Sequence, residues 1–183
     1  MKKILFVWIL MFVLCGCEQT GPEYLISSMG FDYSNGQYEV CFEAVVINSE
    51  NTDQTVKLLK GRGDSVENAV KEIKKQCTQP LLLSHCGVIA INQNMRDIHF
   101  KKVCDFCYQE EQITLSAFFI KSENPQKLLS TKPLSSVSAG YDIMGLLKQN
   151  KHYKNRFFEV INSNYKTVLP TVNRKDGGLC FES

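Results

Sequence analysis

Tyr24-Leu25-Ile26-Ser27-Ser28-Met29-Gly30-Phe31, followed after Ser34-Asn35-Gly36 by the run Gln37 to Ile47, decides how the chain folds. The first segment reads as a strand closed off by a turn. In the second, Tyr38, Val40, Phe42, Ala44 and Val46 alternate with Glu39, Cys41, Glu43, Val45 and Ile47. That is the period of two which a strand imposes on its side chains. The Asn-Gly pair favours positive φ, so the two segments are expected to close into a hairpin.

Downstream of the hairpin, Asn48 to Gln54 is a polar loop and Thr55 to Lys60 a short strand candidate. Ser65 to Cys77 carries the clearest helical signal. Val66, Ala69, Val70, Ile73 and Cys77 recur at three- and four-residue spacing and form one apolar stripe. Asp64 and Glu67 fit a capping box one residue out of step with Ser65, and Gly61 and Gly63 are read as bending the chain into it. Pro80 bars continuation of the helix. Leu81 to Ile91 is nearly continuous apolar and reads as a central strand covered on both faces.

A second helix is expected over Arg96 to Gln109, a strand over Ile113 to Ile120, and a short helix after Asn124-Pro125. Tyr141 to Lys148 and Tyr153 to Asn162 read as helical. Gly177 to Phe181 comes late, with nothing after it to pack against. Helices interleaved with strands predict an α+β fold, a mixed and largely antiparallel sheet with helices packed on it.

Upstream, residues 4–15 hold twelve consecutive apolar side chains behind Lys2 and Lys3. Roughly 20 are needed to cross a bilayer core, so the run fits an export signal instead. Leu14-Cys15-Gly16-Cys17 follows directly and has the form of a bacterial lipobox. In that pattern Cys17 becomes the first residue of the mature protein and carries lipid through a thioether. An uncleaved anchor helix or an ordinary secretory signal is the competing reading. The chain then divides into a signal peptide over 1–16, a short lipidated linker over 17–23 and a domain over 24–170, with residues 171–183 beyond it.

Of the 183 residues, 44% are hydrophobic and 22% charged, the profile of a globular chain. Removing residues 1–16 leaves 167, room for one domain with a real core. It also takes away Lys2 and Lys3, so the 21 Lys+Arg become 19, against 19 Asp+Glu. A formal charge of zero gives no electrostatic basis for a nucleic-acid partner.

Six cysteines remain after Cys17: Cys41, Cys77, Cys86, Cys104, Cys107 and Cys180. Six allow fifteen disulfide pairings. Five of them lie inside apolar patterns, where a free thiol acts as a small hydrophobe, and mostly reduced cysteines are expected. Cys104-Asp-Phe-Cys107 suggests redox or zinc chemistry. It falls in the middle to late part of its helix and on the buried stripe, however, whereas a redox pair belongs at a helix N-terminus. Zinc would need two further ligands at motif-like spacing. His85 adjoins Cys86 in a strand, so their side chains point to opposite faces and form no dyad; His85 reads as a structural histidine or a loop contact. There is no phosphate-binding loop, nucleophile elbow or zinc-protease motif. No catalytic, cofactor-binding or metal-binding residue is assigned, and no cofactor is expected.

The order of segments carries more than any single motif. A lipobox, then Leu25 to Asp32, an alternating strand, a glycine-bounded loop into Ser65-Val66-Glu67-Asn68-Ala69-Val70, and Leu81 to Ile91 resemble the N-terminal domain of the Ger(x)C family. This family comprises the lipoprotein C subunits of nutrient germinant receptors in endospore-forming bacteria. Met29-Gly30-Phe31-Asp32 resembles its hydrophobic-Gly-hydrophobic-Asp strand ending. Ser65 to Ala69 resembles its Ser/Thr-x-x-Glu-Ala helix opening, with Asn68 in the Glu place. His85 resembles the family's histidine after an apolar triplet. The resemblance marks Gly30, Asp32, Ala69 and His85 as structural or contact residues. Gly177 to Phe181 resembles the start of the family's next domain, so 171–183 reads as a truncated tail.

The resemblance implies a non-enzymatic lipoprotein subunit on the outer face of the spore inner membrane. Its partners would be the integral membrane subunits of the receptor and, through acylated Cys17, the bilayer. Aromatic and aliphatic residues from Tyr24 to Phe31, near the anchor, are candidates for docking surface or for core. Two other functions compete: a lipid-anchored small-molecule-binding lipoprotein, which needs a concave pocket with converging polar groups, and a thiol redox protein, which needs Cys104 and Cys107 exposed near a helix N-terminus.

Overall fold

The computed structural model describes residues 23–47, 54–150, 152–175 and 178–182. The leader, the lipobox with Cys17 and most of the Asn48–Gln54 loop lie outside these residues. β1 (Glu23–Ser34) and β2 (Gln37–Ile47) form the hairpin. Asn35 and Gly36 take φ of 50° and 79°, the left-handed pair that a two-residue turn requires. β3 (Gln54–Gly63) pairs antiparallel with β2 and runs longer than the predicted strand.

α1 (Val66–Lys74) follows, with Ser65 as its N-cap: Ser65 Oγ accepts from Asn68 N at 3.2 Å. Asp64 sits one residue outside and takes the Asn68 side chain instead. Gly61 and Gly63 lie within β3 and do not bend the chain. A Cβ on Gly61 would fall 2.0 Å from Ala69 O, and one on Gly63 2.6 Å from Ala69 N. Bare backbone there lets α1 lie directly on the strand.

Leu81 to Ile91 is not one strand. β4 (Leu81–Leu82) and β5 (Val88–Asn92) both run parallel to β1 but are separated by a 3₁₀ turn at Leu83–His85. Cys86 N donates to Leu83 O, and Gly87 N returns to the sheet on Ser27 O at 2.9 Å. The interruption faces a bulge in β1, where the register shifts between Ile26 and Ser28.

α2 (Asp97–Gln109) leads to β6 (Phe118–Ser122), parallel to β5. The predicted strand from Ile113 starts five residues late. Ile113 N and Ala117 N close turns on Glu110 O and Thr114 O, and Thr114 Oγ1 caps Ser116 N, so local bonds replace the ladder. α3 (Pro125–Leu129) starts as expected, with Asn124 Oδ1 accepting from Lys127 N and Pro125 at the first position. α4 (Ala139–Gln149) and α5 (Phe157–Asn162) complete the helices. α5 starts four residues after Tyr153 because Asn155 exchanges backbone and side-chain bonds with Phe119 on β6. β7 (Thr171–Lys175) joins β6 in parallel, and β8 (Gly178–Glu182) pairs antiparallel with β7. Thus Gly178 to Phe181 does have a neighbour, and the sheet continues past Pro170.

The sheet order is β3-β2-β1-β5-β6-β7-β8, with β4 beside β1. It is mixed, and its long ladders are the antiparallel ones of β1–β2–β3. Helices cover both faces. Ile26, Phe31, Tyr38, Phe42, Ile89 and Phe119 meet α1, α2 and α5 on one side. Cys41, Val88, Ala90, Phe118 and Ile120 meet α3 and α4 on the other. The period-two alternation therefore separates two cores rather than core from water. β1 runs through the middle of this arrangement: between Tyr24 and Phe31 only Leu25 is partly exposed. Tyr24 to Phe31 is core and not docking surface.

Candidate functional site

The bulge in β1 creates the molecule's main buried polar feature. Opposite Glu43, the inserted Ser27 and the following Ser28 turn toward the same side chain. Ser27 Oγ and Ser28 Oγ donate to Glu43 Oε2 at 2.8 and 2.7 Å. The N-terminus of α4 supplies two further donors: Ala139 N to Oε1 at 2.7 Å and Gly140 N to Oε2 at 2.8 Å. Glu43 is only 1% exposed. An acceptor at the first free amides of a helix satisfies donors that have no partner inside the helix. Gly140 is required for this close approach, since a Cβ there would lie 2.7 Å from Ser28 Cβ. All four of these donors belong to the protein's own framework, so the buried Glu43 ties α4 to the sheet and does not reach solvent as a general base would.

The residues marked by sequence are not gathered into one site. Gly30 lies in β1 against the second core, where a Cβ would come 2.6 Å from Cys41 Sγ. Asp32 Oδ2 accepts from Asn92 Nδ2 at 2.9 Å, linking β1 to the end of β5. Gly30 and Asp32 do share one cleft of about 200 Å³ with Glu39, Asn124 and Gln126. Sites for small organic ligands generally run ~300–1,000 Å³, so the cleft is small for a solute. Ala69 is buried against β3, where its backbone meets Gly61 and Gly63. His85 is exposed on the 3₁₀ turn and not embedded in a strand. Cys17 lies outside the described residues.

His99, unassigned by sequence, is buried where α2 meets the hairpin. Arg96 Nη2 lies 3.3 Å from Nε2, and arginine can only donate, so Nε2 is the acceptor. The ring proton then sits on Nδ1 and is donated to Tyr38 Oη at 2.8 Å. Tyr33 stacks on the ring at 3.5 Å between centroids. Burial holds the His99 pKa below its usual value, with Arg96 and Lys102 adding to the effect. An unfolded histidine takes its proton near pH 6.5, whereas the folded ring takes it only at lower pH. Stability should therefore fall as pH drops through about 6.5 toward the folded pKa. Urea midpoints at about pH 7.5 and about pH 5.5 should differ, and His99→Gln should narrow that difference; an unchanged difference would contradict this role.

The CxxC thiols do not form a redox site. Cys104 and Cys107 are 0% and 1% exposed on the core side of α2. Burial pushes both pKa values well up, and it takes those of Cys41 and Cys86 to about 12. A thiolate is the reactive form, and here it is withheld. All six described cysteines are free thiols. Maleimide labelling of the native protein near neutral pH should mark Cys77 and Cys180, the two partly exposed ones, and mark the other four only after denaturation. Prompt labelling of Cys104 in the folded state would reverse that assignment. Among the described residues no group of three or more His, Cys, Asp or Glu side chains is placed to hold a metal ion.

Comparison with known families decides between these readings. The family model described as "Spore germination protein N-terminal domain" matches residues 23–179, from the first residue of β1 into β8. The chain belongs to this family. The match takes in the Met29-Gly30-Phe31-Asp32 stretch, the α1 opening and the region of His85 through which the Ger(x)C resemblance first appears. No curated protein and no solved structure matches the chain significantly. In this spore germination domain, Glu43 and His99 are buried polar residues with long-range partners and no assignment from sequence. Glu43 carries a signal, a carboxylate flanked by Phe42 and Ala44 in the middle of an alternating strand, but its α4 partners lie 96 and 97 residues away.

Proposed function

We propose that the protein is a non-enzymatic, membrane-anchored lipoprotein subunit of a spore nutrient germinant receptor, acting through contacts with integral membrane partner subunits. The family match over residues 23–179 carries this reading. Lipid on Cys17 supplies the anchor. Burial of acyl chains contributes about 0.8 kcal/mol per CH₂, and more than one chain gives stable attachment. Among the described residues no helix is long and apolar enough to cross a membrane. Holding the domain at the surface raises its effective concentration beside membrane partners, so a modest interface suffices. The outer face of the spore inner membrane is the expected location, since an export signal and lipobox deliver the domain across that bilayer.

A pull-down of the tagged protein from spore membranes tests this directly. Polytopic membrane proteins should co-purify with it, and Cys17→Ala should shift it to the soluble fraction and lose them. Recovery without membrane proteins, together with normal nutrient germination in a deletion strain, would refute the receptor role.

A further inference from the structure

β1, β4, β5, β6 and β7 run in one direction, with β5 and β6 beginning level with Ser28 of β1 and β7 level with Phe31. β1 starts at Glu23. Five residues, 18–22, separate it from Cys17, and a chain spans at most about 3.3–3.6 Å per residue. A lipid on Cys17 therefore holds this end of the sheet within about 20 Å of the bilayer.

Large apolar side chains are exposed on the segments that lead into β6 and β7 from that side. α5 is tied to the start of β6: Phe157 N donates to Ala117 O at 2.8 Å and Phe158 N to Leu115 O at 3.0 Å. Leu115 is 49% exposed and Phe158 42%. Val168, 85% exposed, follows Thr167, whose hydroxyl bonds back to Glu159 O on α5. Beside them Arg156 lies over the Phe118 ring, 4.6 Å from its centroid, and supplies a cation at the edge of the patch. Apolar side chains next to a basic residue are the composition by which a protein surface settles into a lipid interface.

We propose that Leu115, Phe158 and Val168 form a bilayer-contacting rim that sets the orientation of the anchored domain. The proposal rests on the lipidated reading of Cys17, and its occupant is the lipid surface. The rim adds a second, weaker point of membrane contact to the acyl chains, so the sheet stands with its β1-starting end on the membrane and its opposite end, where α2 begins, away from it.

The full-length acylated protein, purified from bacterial membranes and reconstituted in vesicles of equal parts phosphatidylcholine and phosphatidylglycerol, tests this. Trp8 is the only tryptophan in the chain. With Trp8→Phe in every variant, Phe158→Trp reports on the rim and Ile98→Trp on the opposite end, where Ile98 is 61% exposed. Flotation reports the anchor independently. The expected result is flotation of both variants, with blue-shifted emission and loss of most intensity to brominated acyl chains for Phe158→Trp only. Flotation with Phe158→Trp unquenched, or with both reporters quenched alike, would overturn the rim and leave the anchor standing. Failure to float would remove the anchor and the rim with it.

Discussion

Glu43→Ala should cost the domain about 4 kcal/mol and detach the start of α4 from the sheet. Four donors lose the carboxylate at once, two serine hydroxyls and the amides of Ala139 and Gly140; Ser27 Oγ keeps its longer bond to Glu43 O at 3.2 Å. Each buried donor left unpaired costs about 1–3 kcal/mol, reduced where water can enter the space left by the side chain. For a domain of this size the loss corresponds to a fall in Tm of roughly 8–16 °C. Glu43→Gln should cost less, about 2 kcal/mol. Its amide keeps the shape but turns one donor toward a backbone N–H that can only donate. Hydrogen exchange gives the local signature: amides from Ala139 to Ile143 should lose protection more than those of α1. Uniform destabilisation with α4 protection unchanged would show that Glu43 does not fasten the helix.

The second large effect is expected at Gly61. A methyl group there would sit 2.0 Å from Ala69 O and 2.9 Å from Ile73 Cγ1. The first is backbone and cannot rotate away, so α1 must lift from β3. Overpacking of this kind costs about 3 kcal/mol, and Gly61→Ala should lower Tm by roughly 6–12 °C. Gly145→Ala on α4 is the matched control. No atom lies within 4 Å of its added carbon, and alanine is favoured over glycine in a helix by about 1 kcal/mol. Opposite signs for the two substitutions, measured by thermal unfolding, are the result to look for. Equal effects would mean that helix–strand proximity at Gly61 is unimportant.

Where local chemistry and tertiary structure agree, the sequence was readable. Asn35-Gly36 specified its turn, the Val66 to Ile73 stripe its helix, and Asn124-Pro125 its helix start. Readings failed where a distant partner decided the outcome. An apolar run from Leu81 to Ile91 is compatible with a single strand, and it breaks because the β1 bulge faces it. Ile113 to Ala117 has strand composition but is taken by turns around Thr114. The parallel placement of β5, β6 and β7 and the sorting of α3 and α4 onto the second face depend on long-range packing with no local signature. The same division holds for the site. Segment order pointed to the family, whereas the Glu43 fastening and the His99 cluster join residues far apart in the chain.

These features describe a framework built for rigidity, with Glu43 and His99 committed internally and four of the six described thiols buried. On the proposed reading, function depends on where the domain is held. Intact-mass measurement of the protein extracted from membranes of a spore-forming host is the most direct test. The expected species begins at Cys17, with a mass that exceeds that of residues 17–183 by attached acyl groups. A chain that retains residues 1–16, or one that begins elsewhere with no lipid, would contradict it.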